Sequence, residues 1–134
     1  MIKTKFTVPI YDFDITLVQI ESKDDYEPVK KLLKSINANK EDAEYTLENI
    51  KNEAVNGGDT YRDMCCKRFL VLFFPFTDEY ERESTFDHEK RHVEDRMMAH
   101  VLVDDIESAG LLAGYLGVKF YKFKKVIDKL NKEP

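Results

Sequence analysis

A chain of 134 residues suits one domain with its own core. With 43% hydrophobic and 12% aromatic residues it is too apolar to stay disordered, and a net charge of −5 leaves no concentrated cationic surface, so nucleic-acid binding is not expected. The longest apolar run, Phe69 to Phe76, is far short of a membrane span, and the opening residues, broken by Lys3, Lys5 and Pro9, do not read as a signal peptide. A soluble cytoplasmic protein with no membrane association is the expectation.

Residues 2–9 alternate polar and apolar side chains and predict a strand. Asp12, Phe13 and Asp14 mark a turn. Ile15 to Ile20 reads as the hairpin partner, with Ile15, Leu17 and Gln19 on one face. Tyr26, Val29, Leu32, Leu33 and Ile36 then have helical spacing over 24–36, with early acids and later lysines that suit the helix dipole. Asn39 caps a second helix striped by Ala43, Leu47, Ile50 and Ala54, and Gly57-Gly58 is the expected stop.

The adjacent Cys65 and Cys66 lack the spacing of a zinc knuckle and read as reduced thiols in or beside a strand. Phe69 to Pro75 is apolar at every position and predicts a central, doubly covered strand. Thr77 to Glu83 reads as a charged loop. Ser84 or Thr85 then caps a helix to about Val101, a break falls at Val103 to Asp105, and a last helix runs from about Ile106 into the 120s. The lysine-rich stretch from Lys119 to Lys129 keeps a helical pattern and reads as a solvated face. A hairpin, two helices, a buried strand and two more helices give an α+β fold in a single domain, 1–134.

The motif that carries chemistry is His88-Glu89-Lys90-Arg91-His92. Helical residues four apart share a face, with Cβ atoms about 5–6 Å apart, so two imidazole nitrogens can meet one zinc ion at about 2.0–2.1 Å. His88 and His92 are the candidate ligands. Glu89 is the candidate general base toward a water acidified by the metal. The competing reading is two solvated histidines in a charged stretch, which Lys90 and Arg91 favour. A catalytic zinc needs a third protein ligand. His100 lies eight residues on, about 12 Å along the axis, and Asp95 turns off the face. Glu107 opens the next helix, where a carboxylate also simply compensates the helix dipole.

These features together resemble a family of small His-Glu-x-x-His metallopeptidase-like proteins of the gluzincin type, often encoded by phages and mobile elements. The resemblance rests on the opening Val8-Pro9-Ile10-Tyr11 with Asp14 to Val18, on the apolar strand before the metal helix, and on the segment Glu107 to Leu116 (ESAGLLAGYL). It does not extend to residues 21–64. It implies a zincin-like fold, zinc as cofactor, Glu107 as third ligand and a peptide or protein substrate. Ser108 and Leu111 depart from the proline and tyrosine common in that segment, and the 14-residue link from His92 to Glu107 is short. The expected function is a zinc-dependent hydrolase, a minimal metallopeptidase or amidase, with Tyr61, Tyr115, Arg96 and His100 as unranked oxyanion stabilisers. The alternative is a non-catalytic zinc-stabilised interaction module, and a metal-free protein with a vestigial motif is the blandest reading.

Overall fold

A computed structural model describes residues 1–101 and 106–132. The strands β1 (Ile2–Val8), β2 (Phe13–Gln19), β3 (Gly58–Asp63) and β4 (Arg68–Phe73) form one sheet in the order β1-β2-β4-β3. β1 pairs antiparallel with β2, β2 runs parallel to β4, and β3 pairs antiparallel with β4 on the outside. The helices are α1 (Tyr26–Ser35), α2 (Lys40–Lys51), α3 (Glu79–Val101) and α4 (Ile106–Lys132), with one turn of 3-10 helix at Lys23–Asp25 leading into α1.

The sheet separates two cores, because alternate residues of a strand face opposite sides. On one face Phe13, Ile15 and Leu17 of β2 and Phe69, Val71 and Phe73 of β4 pack against Phe86, Val93 and Met97 of α3 and Leu112, Leu116, Phe120 and Phe123 of α4. On the other face Val18, Leu70 and Leu72 meet Val29 and Leu33 of α1 and Leu47 and Ile50 of α2. β4 is therefore buried on both sides, as its unbroken apolar run requires. Arg82 of α3 bonds to Asp128 of α4 at 2.6 Å, tying the start of one helix to the end of the other.

The expected α+β class, hairpin, central strand and Asn39 cap are all present; Asn39 accepts from the amides of Glu41 and Asp42. Several boundaries differ, the expected turn at Asp12 to Asp14 among them, since β2 already begins at Phe13. α3 begins at Glu79, not at Ser84 or Thr85, because Asp78 accepts from the amide of Glu81 and starts the helix inside the expected loop. α2 ends at Lys51, ahead of the glycines, with Glu53 in the left-handed region at φ 56° taking the place a C-terminal glycine would fill. Gly58 then opens an additional strand, β3, that the polar run Gly58–Asp63 conceals. α4 also continues past the 120s to Lys132. The expected break at Val103 to Asp105 lies outside the described residues. Cys65 and Cys66 are free and exposed in the β3–β4 turn.

Candidate metal centre

α3 turns an inner stripe of Phe86, Val93 and Met97 toward the sheet. The 3.6-residue period puts position 89 or 90 in the same stripe between Phe86 and Val93. Glu89 occupies that slot and is only 3% exposed. A carboxylate in a core position is costly unless it is hydrogen-bonded. Here Thr60 of β3 donates its hydroxyl to Glu89 Oε2 at 2.6 Å. Burial pushes the Glu89 carboxyl above the usual range, while the Thr60 bond and the neighbouring His92 and His88 draw it back.

His88 and His92 flank Glu89 on the exposed edge of the same helix. Their Nε2 atoms face each other at 3.0 Å and their rings are nearly perpendicular, at 87°. Ligand distances of about 2.0–2.1 Å with a tetrahedral angle would separate two such nitrogens by roughly 3.3 Å. A small rotamer adjustment therefore brings both onto one ion. The ligand atoms of His88, Glu89 and His92 all lie within 4.8 Å of one another, so the three can hold a metal ion. Two imidazole nitrogens and a carboxylate are a donor set that suits a divalent first-row metal ion.

The site opens into a cleft of about 360 Å³ between α3 and β3, bordered by Asp59, Thr60 and Arg62 on the strand and by the motif residues and Arg96 on the helix. Gly58 sets the approach of the two elements. A Cβ added there would lie 2.9 Å from the carbonyl oxygen of Leu72, 3.0 Å from Cγ of Glu89 and 3.2 Å from Cγ2 of Thr85. Only glycine leaves room for the helix to come this close to the strand. Asp59 accepts from Thr46 of α2 at 2.8 Å, and burial raises its carboxyl too.

The structure brings His88, Glu89 and His92 together. Glu107 stands exposed in the first turn of α4 and is not one of the three groups in the cluster. Asp104 and Asp105 lie outside the described residues. His100 sits at the far end of α3, its ring edge-on to Phe13 at 5.4 Å. The oxyanion candidates separate clearly. Tyr61 faces α2, bonded to Thr46 and the carbonyl of Asp42, and is pushed up to about 12 by burial. Tyr115 donates to the carbonyl of Thr7. Of the four, Arg96 alone borders the cleft.

Sequence reasoning missed Gly58, Asp59, Thr60 and Arg62, all on the unrecognised strand β3. Thr60 and Tyr61 were the faint β signal, outweighed by the charges on either side. The chain matches no protein-family profile, no curated protein and no solved structure.

Proposed function

We propose that the protein is a zinc-dependent hydrolase of zincin-like architecture, a minimal metallopeptidase or amidase akin to the phage and mobile-element proteins it resembles in sequence. The observation that carries this reading is Glu89: a carboxylate in a core slot of the helix, fixed by Thr60 and set between two histidines with facing nitrogens. Two solvated histidines need no such neighbour. No helix among the described residues is long and apolar enough to cross a membrane.

In this reading His88 and His92 hold zinc, and Glu107 is the third ligand implied by the family-like segment. When bound, zinc would supply Lewis acidity toward water and the scissile carbonyl. As the water oxygen bonds to the carbonyl carbon, Glu89 would take the proton released on its carboxylate and return it to the nitrogen freed when the C–N bond breaks. Its upward-shifted pKa makes it a stronger base than a solvated glutamate. Thr60 holds the carboxylate in position. β3, the outer strand, lines the cleft and offers an extended peptide the backbone groups that β4 does not use.

One observation favours a second reading. Glu89 lies within ligand reach of both histidines. Were it a ligand, its carboxylate would be committed to the ion and not to a proton, and the ion would staple a non-catalytic interaction module. Glu89→Gln decides between them: a base leaves zinc bound and abolishes peptide hydrolysis, whereas a ligand loses the zinc.

A further inference from the structure

The cleft holds two cations that the hydrolytic reading does not use. Arg62 comes from β3 and Arg96 from α3, and both are exposed. Among the described residues neither is in an ion pair, whereas Arg68 is tied to Asp63 and Arg82 to Asp128. The two acids bordering the same cleft form no ion pair with either arginine; Asp59 accepts from Thr46 and Glu89 from Thr60. In a chain of net charge −5, a pair of uncommitted guanidiniums facing one cleft is an unusual placement.

The register of strand against helix puts both at the same end. Gly58 approaches Thr85 and Glu89, and Thr60 bonds to Glu89. Two strand residues advance ~6.6 Å, close to the ~6 Å of four helical residues. Continuing that match sets Arg62 opposite Val93, in the turn of α3 that ends at Arg96. Guanidinium forks on opposite walls of one cleft suit a planar carboxylate, which each can engage through paired N–H donors.

We propose that Arg62 and Arg96 form a carboxylate-recognition subsite about one helical turn from the metal, so that the substrate carries a carboxylate within one or two residues of the scissile bond. Extended chain covers ~3.3–3.6 Å per residue, which sets that spacing. This inference rests on the hydrolase reading for the statement that the bound carboxylate belongs to a substrate. The carboxylate is either an acidic side chain or a free C-terminus, and the test separates them.

Zinc-loaded Glu89→Gln protein is titrated with three short alanine peptides, followed by NMR of the arginine Nε–H signals. One is blocked at both ends with a central glutamate, one has glutamine in its place, and one has only alanine side chains, a blocked N-terminus and a free C-terminal carboxylate. At least one carboxylate peptide binds about ten-fold more tightly than the glutamine peptide, and which one does so identifies the source. Arg62→Gln and Arg96→Gln, added singly, each remove that preference while zinc content stays unchanged. Equal affinity for all three peptides, or no binding by any, with zinc in place, overturns the subsite and leaves the metal reading intact. A protein that takes up no zinc yet keeps the carboxylate preference overturns the hydrolase reading and upholds the subsite.

Discussion

Thr60 and Glu89, 29 residues apart in sequence, are joined by a 2.6 Å hydrogen bond that ties the outermost strand of the sheet to the motif helix. The bond gives a buried carboxylate its partner and fixes which way it faces. The Thr60 hydroxyl holds the Glu89 pKa down against burial. Thr60 is thus a positioning residue, and Thr60→Val, nearly the same shape, removes only the bond. The variant should retain zinc, and the acidic limb of its pH–activity profile should move to higher pH. Loss of an acceptor's partner in a buried site should also cost about 1–3 kcal/mol of stability. A pH–rate profile superimposable on the parent's would show that the bond does not tune Glu89.

Glu89 should weaken the metal-free fold at neutral pH. Its folded pKa is raised above the unfolded value, so the stability linked to it is complete at pH values below the ordinary glutamate range. That stability is lost as pH rises through the elevated folded pKa. Glu89→Gln, which carries no charge to bury, should therefore be more stable than the parent in the metal-free state at pH 7. The advantage should shrink toward acid pH. Urea melts of metal-free protein across that range measure it; a parent that gains stability over the variant as pH rises would contradict the assignment.

Gly58 leaves no room for a Cβ between the Leu72 carbonyl and the Glu89 and Thr85 side chains of α3. Gly58→Ala forces a methyl against the carbonyl of Leu72, which is backbone and cannot rotate away. Overpacking of this kind costs about 1–3 kcal/mol. The shift should also move Glu89 off Thr60, so zinc affinity and activity should fall together with stability. Thermal melts alongside zinc titration check this, and an alanine variant of parental stability would mean the helix has slack that the contact distances deny.

Arg82 and Asp128 clasp the start of α3 to the end of α4. The Arg82 guanidinium holds the Asp128 carboxyl below its usual range. With a depressed folded pKa, this contribution is present above the ordinary aspartate range and disappears as pH falls through the folded value. Asp128→Asn should cost about 1 kcal/mol at pH 7, discounted for partial solvent screening, and almost nothing in strong acid. A destabilisation independent of pH would assign the effect to packing.

The sequence disclosed what is periodic and hid what is polar. β4 was legible because five consecutive apolar residues, Phe69 to Phe73, leave one physical solution, a doubly covered strand. The motif was legible because four-residue spacing converts directly into geometry. β3 was not, since an outer strand bordering a polar cleft carries the residues of a loop: Asp59 and Asp63 bond to neighbours and Arg62 is exposed, so none of them builds a core. The start of α3 was hidden for the same reason, its first turn being held by the Asp78 cap and by ion pairs instead of an apolar stripe. Half of the cleft therefore came from sequence and the other half from topology. Glu107 stands out in the sequence only through the family-like segment, because no spacing rule links it to the motif across the expected helix break.

The central claim is that His88 and His92 bind zinc beside a base that is not itself a ligand. The direct measurement is zinc content by elemental analysis, on untagged protein purified without added metal and again after zinc addition and dialysis. It is made for the parent, His88→Ala, His92→Ala, Glu89→Gln and Glu107→Ala. About one zinc per chain is expected in the parent and in Glu89→Gln. None is expected in either histidine variant, and strongly weakened retention in Glu107→Ala. Parent protein that holds no zinc under either condition would rule out the metal site.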